Sequence, residues 1–489
     1  MLKRNRNAFF IAFIISIVLN GSAFGFSLSR KQIQQQTSAT IVVTDSTIIS
    51  LSEYLGYVKK HHPVIKQAGL VLEQGEAQLL KARGGFDPKI EVDYERKDFK
   101  GTEYYDELRG AFKIPTWYGV EFKAGAERNE GAFLDPSLTV PEDGLYSAGV
   151  KISLAQGLWI NDRMATLRKA KLFREQTQSE RALMVNQILY DATQVYFEWW
   201  KAAQERKLFR NILENSIIRY NGVVRQVETG YKAAIDSVES GIAVNNRRLG
   251  LEQARIDFID KRLQLSNFLW IDGVPLELRN NTYPDNDLLD TIDTSLEIMG
   301  QSLDLFTIEN HPKILAMQLK MDQLDVERDL KANKLLPKID VSVDAISQEW
   351  GDSGSYNLNN YKAAATFSMP LFLRKERGDL KLAEIKLQDA AFDILETRLA
   401  IENKIKANFN KIDSYALQNE ISEDIVIASA RLLNAEERKF QLGNSSIFLI
   451  NSRENKLIES SLKLLKISVK LLESKANLFN SLAIVPENL

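Results

Sequence analysis

The three histidines, His61, His62 and His311, are the side chains best suited to metal binding or acid–base chemistry. The sequence contains no cysteine, which excludes disulfides, thiolate metal ligands and cysteine nucleophiles. His62 and His311 each precede a proline and occupy equivalent positions in a repeated segment. A zinc or copper site built on histidine is therefore not expected. Their positions predict instead that each begins a helix.

Motifs of enzyme active sites are absent from the sequence. There is no glycine-rich phosphate-binding loop, no HExxH and no GxSxG. Acidic residues are abundant, but pairs of carboxylates on solvated helix faces arise from composition alone. The 63 Lys and Arg against 65 Asp and Glu favour neither nucleic acid nor a polyanion as ligand. We therefore expect no enzyme, no cofactor, no metal ion and no nucleic-acid partner.

Two of the histidines belong to a segment that occurs twice in the sequence, with an offset of 249 residues. One copy runs from His62-Pro63 to Pro88-Lys89-Ile90, and the other from His311-Pro312 to Pro337-Lys338-Ile339. Some positions differ in residue type between the copies but keep a negative charge. Glutamates in the first copy correspond to aspartates in the second: Glu73, Glu76, Glu91 and Glu95 to Asp322, Asp325, Asp340 and Asp344. A period of this length predicts two copies of one supersecondary unit.

The N-terminus has the three regions of a secretory signal peptide. Lys3, Arg4 and Arg6 precede the apolar run 8–19, and Ala23-Phe24-Gly25 supplies small residues for cleavage. A transmembrane anchor fits less well because about 20 apolar residues are needed to span a bilayer. We expect a signal peptide at 1–25 and an extended or disordered N-terminal extension at 26–48. No other apolar run approaches spanning length, so any membrane span must be made of strands.

After each Pro-Lys-Ile the hydrophobic period changes from about 3.6 to 2. Apolar and charged residues then alternate over runs of about the 9–11 residues that a tilted membrane strand requires. Aromatic residues lie at the ends of these runs, as in the girdle of a membrane barrel; they are Trp117, Tyr118, Trp159, Trp350 and Tyr361. The predicted strands occupy about 89–155 and 338–370. A patch of a soluble β-sandwich is the alternative.

A very long helix follows each set of strands, at about 158–228 and 376–441. Apolar residues at alternating steps of four and three mark the seam of a coiled coil; in the first helix they are Val185, Leu189, Ala192, Tyr196, Trp199 and Ala203. In the second helix Ile394, Ile401, Ile405, Phe409 and Ile412 are predicted on the buried side. Gly230 and Gly443 then predict sharp reversals into returning helices that end near Trp270 and Leu482. The first repeat is thus 49–276, the linker 277–295 and the second repeat 296–489.

One chain cannot complete this architecture. It leaves coiled-coil seams unburied, and six strands or fewer fall below the smallest usual membrane barrel of about eight. Open sheet edges are not tolerated in lipid. The chain must oligomerise.

The sequence resembles the TolC-like outer membrane efflux protein family. The resemblance is carried by the tandem copies, the two Pro-Lys-Ile strand starts, the Phe-Ser-Met-Pro-Leu-Phe run at 367–372 and the reversals at Gly230 and Gly443. It covers nearly all of the predicted mature chain. Each motif alone is weak, and the specificity lies in their order and spacing.

The resemblance implies a mixed α and β membrane protein that forms a homotrimer. Three chains would share one β-barrel in the outer membrane, continued into the periplasm by an α-helical, coiled-coil barrel. Such channels dock with a periplasmic adaptor and an inner-membrane transporter of the RND, ABC or MFS type, in efflux or type I secretion. They have no catalytic residues of their own. The alternative is a periplasmic coiled-coil scaffold or adhesion rod without a pore.

At the second reversal the chain departs from the family. Relatives are expected to carry an acidic pair six and nine residues after the glycine, forming a ring at the tunnel entrance. Here Leu449 and Ser452 occupy those positions and Arg453 follows, whereas the same offsets from Gly230 hold Asp236 and Glu239. An anionic ring would therefore be carried by the first reversal, or be absent. The alternative is that both acids only cap the returning helix. The residues expected at the tunnel entrance or adaptor contact are Gly230, Asp236, Glu239, Gly443, Leu449, Ser452 and Arg453.

An extra hairpin at 105–127 is the second departure. The family contributes two strands per copy, whereas four runs in the first copy and two in the second would give six per chain. We expect the hairpin to lie outside the barrel, because a wider barrel would not match the tunnel of twelve helices beneath it. The alternative is a barrel of eighteen strands.

Overall fold

The computed structural model describes residues 48–279, 281–298, 307–350, 356 and 359–487. The predicted signal peptide and all of the predicted N-terminal extension except Ile48 lie outside these residues. The helices are α1 (Leu51–His61), α2 (Pro63–Arg83), α3 (Asp162–Glu228), α4 (Ala234–Ser266), α5 (Leu288–Ser295), α6 (Pro312–Asn333), α7 (Arg374–Gln441) and α8 (Ile447–Leu482).

Six strands form one antiparallel sheet: β2 (Lys89–Phe99), β3 (Thr102–Pro115), β4 (Val120–Glu130), β5 (Leu145–Ala155), β9 (Lys338–Ser347) and β10 (Tyr361–Ser368). Two-residue strands make the remaining pairs: β1 (Ile48–Ile49) with β8 (Tyr283–Pro284), and β6 (Trp270–Ile271) with β7 (Val274–Pro275). The loop after β9 is described only in part.

Both His-Pro pairs begin helices through a side-chain cap. The Nδ1 atom of His62 accepts from the backbone N–H of Val64 at 3.2 Å, and that of His311 from Lys313 at 3.1 Å. Pro63 and Pro312 occupy the first helical positions, where a missing N–H costs nothing. The two histidines are thus helix caps, as their positions predict.

The main core lies where α3 passes α1, α4, α5 and α8. Its largest buried side chains include Tyr54, Tyr196, Trp199, Phe258 and Phe479. The α3 seam predicted from the sequence lies in this core, with only Ala203 partly exposed. On α7, Ile394 and Ile405 are buried, and the other three predicted residues are half-buried.

The segment predicted as a linker contributes to this core. Leu288 and Ile292, one turn apart on α5, are fully buried. Turn-forming residues dominate 277–287, which led to the expectation of an irregular connection. These turn-forming residues obscured the apolar spacing of α5, which extends over only one helical turn.

The helices lie side by side in a defined order. Next to the sheet the sequence of neighbours is α2, α3, α6 and α7. Towards the reversals it is α4, α3, α8 and α7. The hairpin α3–α4 thus packs beside the hairpin α7–α8, with α4 and α7 on the two outer sides. In the described part of the chain, no helix is both long enough and sufficiently apolar to span a membrane.

The extra hairpin, expected outside the barrel, lies within the six-stranded sheet. The strand order is β10-β9-β5-β4-β3-β2, so β3 and β4 separate β2 from β5. β3 pairs with β2 along the whole of β2, and β4 pairs with β5 over eight residue pairs.

We predict that acid weakens the fold through the two histidine caps. Burial lowers the pKa of both His62 and His311 below the ordinary value of 6.5. The folded state therefore favours the neutral rings, whereas the unfolded chain takes up protons near its ordinary pKa. Stability is full above about pH 6.5 and declines as the pH falls below it. Thermal unfolding of the detergent-purified protein between pH 8 and 5 measures this decline.

The variant His311→Asn keeps a capping acceptor but removes the titration, so its melting temperature should fall less on acidification. The matched control is His61→Asn, which removes a neighbouring histidine that is not a cap. Equal pH dependence in wild type and His311→Asn would contradict the assignment.

Candidate functional site

The two reversals, 229–233 and 442–446, share one backbone geometry. Gly230 and Gly443 have φ of 75° and 81°, the left-handed conformation that glycine adopts without steric cost. The N–H of Tyr231 bonds to Gln226 O, and that of Asn444 to Lys439 O, so each reversal satisfies carbonyls at its helix end.

The reversals of the two hairpins contact each other. A Cβ at Gly443 would lie 3.4 Å from the hydroxyl oxygen of Tyr231. The Nζ of Lys232 lies 4.4 Å from the centroid of the Phe440 ring, a cation–π distance. Apolar residues from both hairpins form a small core above the tips, consisting of Val223, Leu433, Phe440, Ile447 and Ile450. The two tips therefore form a single end of the molecule.

The acids predicted at this end do not act as side-chain caps. The N-cap of α4 is Ala233, and it makes no side-chain hydrogen bond. Asp236 lies in the first turn of α4, where the helix dipole favours a carboxylate. Glu239 accepts a hydrogen bond from Asn451 of α8 at 3.4 Å. The structure thus places Asp236 and Glu239 on the first hairpin, with Glu239 facing the second.

The residues predicted at the second reversal lie on the other hairpin. Leu449 and Ser452 are exposed on α8, while Ser446 supplies its cap by accepting from the N–H of Leu449. Arg453 is half-buried, with its Nε 3.9 Å from a carboxylate oxygen of Glu436. Glu436 is itself buried and accepts from the hydroxyl of Ser445 at 2.6 Å. Arg453 therefore pairs within its own hairpin.

A buried ionic cluster, which the sequence analysis missed, joins the hairpins further up. The side chain of Glu454 is 2% exposed and lies 2.9 Å from Arg219 Nη2 and 3.1 Å from Arg247 Nε. Arg219 also contacts Glu437 at 2.9 Å, and the hydroxyl of Ser216 donates to Glu454 at 3.3 Å. These residues come from α3, α4, α7 and α8. Two carboxylates and two arginines thus link all four helices.

A sequence signal for this cluster exists. Arg219 lies between the buried residues Ser216 and Val223, and Glu454 between Ile450 and Ile458, each at coiled-coil spacing. Charged residues at seam positions require partners when buried. Nothing in the linear sequence shows that these positions lie at one level.

The six-stranded sheet has two chemically different faces. Residues opposite one another across all six strands lie on the same face. One such row, Ile90, Phe112, Ala124, Ala148, Ala345 and Tyr361, is entirely apolar. The next row on the opposite face is Lys89, Lys113, Lys123, Gly149, Asp344 and Lys362. Large apolar side chains, among them Ile90, Phe122 and Phe367, are half or more exposed.

The polar face carries ion pairs between strands. Glu91 pairs with Lys113, Asp340 with Lys151 at 3.3 Å, and Glu127 with Lys362 at 3.9 Å. Small residues on β4 and β5 make room for these side chains. A Cβ at Gly149 would lie 2.5 Å from the backbone Cα of Asp344, so only glycine fits there.

Among the described residues, no group of three or more His, Asp or Glu is arranged to hold a metal ion. The expected residues at the reversals accordingly have no metal-binding geometry. Their arrangement offers charge, hydrogen-bonding groups and a contact surface.

Comparison with known proteins identifies relatives of this architecture. Residues 307–483 match the family model described as outer membrane efflux protein. No curated protein sequence matches the chain. Among solved structures, CusC, reported for its folding and transmembrane channel formation, has a TM-score of 0.65 at 13% identity, covering 88% of this chain and 91% of its own.

Two further channels have the same fold. The CmeC outer membrane channel of Campylobacter jejuni has a TM-score of 0.61 at 12% identity, covering 88% of this chain and 85% of its own. The open-state MtrE outer membrane channel of Neisseria gonorrhoeae has a TM-score of 0.62 at 12% identity, with 88% of each chain covered. The predicted resemblance to the outer membrane efflux family is thus confirmed by the family match at 307–483, and the solved channels share the fold of most of the chain.

We predict that Glu454→Gln loosens the two hairpins. Without the carboxylate, Arg247 would lose its anionic partner while largely buried and Arg219 would keep only Glu437, which costs about 3–5 kcal/mol. Hydrogen exchange of the backbone amides at 447–458 should accelerate by about a hundredfold or more. Glu459→Gln, on the same helix but 72% exposed, is the control and should change little. Equal exchange in the two variants would contradict the structural role of the cluster.

Proposed function

We propose that this chain is one subunit of a trimeric outer membrane channel, a passive export duct that continues as a helical tunnel into the periplasm. The duct would dock with a periplasmic adaptor and an inner-membrane transporter, which supplies the energy. The family match at 307–483 and the shared fold of the efflux channels support this proposal.

The observation that carries the proposal is the amphipathic sheet. Its apolar face exposes large aliphatic and aromatic side chains, and its other face holds ion pairs. A membrane barrel needs this division, with apolar groups toward lipid and charged groups toward a wet lumen. A periplasmic scaffold or adhesion rod has no use for an exposed apolar sheet, which in water would promote aggregation.

Aromatic residues lie at both ends of the strands. Trp159 and Phe372 are more than two-thirds exposed at the end joined to the helices. Phe133, Trp350 and Tyr361 are 60–73% exposed at the other end. Two such belts mark the interfaces of a membrane-spanning barrel.

The helices also carry apolar surface that a single chain leaves open. An apolar residue recurs every seventh position on the outer side of α4: Ile235, Ile242, Leu249, Ile256 and Leu263, all 43–70% exposed. On α7, at the opposite side of the four helices, exposed apolar residues follow at steps of four, four and seven: Leu417, Ile421, Ile425 and Leu432. Seven-residue spacing is typical of a coiled-coil seam.

The two stripes match in height. Counted from the reversal glycines, Ile242 is 12 residues away and Leu432 is 11; Leu249 is 19 and Ile425 is 18. Because α4 leads away from its reversal and α7 leads toward its own, equal counts mean equal levels at about 1.5 Å per residue. A second copy of the chain can therefore bring its α7 against α4. Repeating the contact three times gives a closed ring.

The end formed by the reversals is the proposed tunnel entrance and adaptor contact. Gly230, Asp236 and Glu239 lie on one hairpin. Gly443, Leu449, Ser452 and Arg453 lie on the other. With Leu449 and Ser452 in place of acids, the anionic character of the entrance would come from the first hairpin.

The direct test of the channel is extraction and reconstitution. The protein should fractionate with outer membranes, extract in detergent as a heat-modifiable trimer, and conduct ions in a planar bilayer. Recovery as a soluble periplasmic protein would defeat the proposal.

Substitution on the α4 stripe should weaken the trimer. Leu249→Glu places a charge where the partner's α7 is proposed to pack, so the trimer should dissociate at lower detergent concentration and temperature. Native mass spectrometry and gel mobility measure this change. Leu249→Met, which keeps the apolar volume, is the control. A Leu249→Glu trimer as stable as wild type would place the seam elsewhere.

Charge removal at the entrance should change ion selectivity. The double variant Asp236→Asn/Glu239→Gln removes two carboxylates per subunit, and the reversal potential in a salt gradient should move away from cation preference. Glu252→Gln, further up α4, is the control. Unchanged cation preference in the double variant would show that these acids form no selective ring.

A further inference from the structure

We infer that the two open edges of the sheet pair with each other between subunits, β10 of one subunit with β2 of the next, and so close an eighteen-stranded barrel. In this pairing, called the flush register, the last residue of β10 lies opposite the first residue of β2. This inference rests on the proposed trimeric channel and specifies its partner surface and register. It also assigns a role to the extra hairpin β3–β4.

Within the described residues, β2 and β10 each pair with one strand only and form the two edges of the sheet. Every residue of β2 and every residue of β10 is exposed. Unpaired backbone N–H and C=O groups cannot remain in lipid, so these edges must find partners. Because all five pairings in the sheet are antiparallel and the strand number is even, β10 runs opposite to β2. An antiparallel contact between subunits therefore closes without a break in the pattern.

The helices place the same edges together. β2 follows α2 and β10 precedes α7, and these two helices are the outer members of the row α2, α3, α6 and α7. A ring of subunits that brings α7 beside the partner's α2 also brings β10 beside the partner's β2. The helices and the strands thus place the same partner subunit on the same side of the chain.

Faces and charges select the register. With the ends flush, Ser368 lies opposite Lys89 of the partner subunit, and Lys362 opposite Glu95 of the partner subunit. The apolar faces then match large against small, since Ala363 meets Tyr94 of the partner subunit. All eight residues of β10 are paired in this arrangement.

Registers shifted by two residues are less suitable. A shift one way sets Lys362 against Lys97 of the partner subunit, and like charges directly opposite one another are destabilising. A shift the other way leaves Ser368 beyond the first residue of β2. It would also flatten the strand tilt to about 26°, outside the range of about 35–45° found in outer membrane barrels.

The flush register gives a self-consistent barrel. The row that starts at Lys89 crosses the sheet to Lys362, which then faces Glu95 of the partner subunit, six residues further along β2. Three subunits therefore accumulate a shear equal to the number of strands, which corresponds to a tilt of about 36°. At that tilt eighteen strands occupy about 110 Å of circumference.

This circumference fits the helical layer. Three copies of the row α2, α3, α6 and α7 make twelve helices, which need about 95–120 Å. A barrel of twelve strands at the same tilt would be too narrow by about a third. With the hairpin β3–β4 in the barrel, the duct through the membrane is about half again as wide as one built from twelve strands at the same tilt.

Cysteine cross-linking tests the register in a chain that has no cysteine of its own. The pair Ala364→Cys/Asp93→Cys lies directly opposite in the flush register, at about 4.5–5.5 Å between Cα atoms, within disulfide reach. The pair Lys362→Cys/Glu95→Cys lies two residues along the same seam. Ala364→Cys/Lys89→Cys, on the same face but about 13 Å apart, is the matched control.

After mild oxidation of membranes, both test pairs should give a covalent trimer on a heat-denatured, non-reducing gel, and dithiothreitol should return it to monomer. The control pair should give at least about tenfold less. Native mass spectrometry of each variant reports assembly independently. A native trimer without cross-links at either test pair, or with more at the control pair, would overturn this pairing and leave the channel intact. A monomer in native mass spectrometry for wild type would overturn the proposed function as well.

Discussion

The six-stranded sheet has two open edges and an exposed apolar face, and neither is stable without further contacts. This constraint determines how the rest of the chain must be arranged. Lipid cannot hydrogen-bond the backbone groups along β2 and β10, and water cannot stabilise the exposed face that carries Ile90, Phe122 and Phe367. In the proposed barrel, the edge strands gain partners and the apolar face contacts lipid. The helices leaving the same edges, α2 and α7, then meet in the same order.

The helical part solves a different problem, which is to hold long rods in a fixed arrangement with little hydrophobic core. Near the reversals the core is small, and Glu454 with its two arginines joins α3, α4 and α8. Such a cluster contributes specificity of position more than net stability, because burying charges offsets much of their attraction. The apolar residues left over, on α4 and α7, face outward, where a partner can cover them.

Local features were predictable from sequence because their causes are local. The caps at His62 and His311, the prolines that begin helices and strands, and the glycines at the reversals depend on a few neighbouring residues. Non-local features were not. Nothing in the spacing of 105–127 shows that β3 and β4 insert between β2 and β5, and nothing along the chain shows that Arg219, Arg247 and Glu454 share one level. In α5 the apolar spacing that predicts a helix was present in Leu288 and Ile292, but it extended over only one helical turn.

Imaging the detergent-extracted protein by electron cryomicroscopy tests the central claim most directly, since a channel and a rod differ in their cross-section. The account predicts a threefold particle with a continuous axial hole, twelve helices around it below the membrane and eighteen strands within it. A particle without an axial hole, in which the sheets do not close on one another, would contradict it.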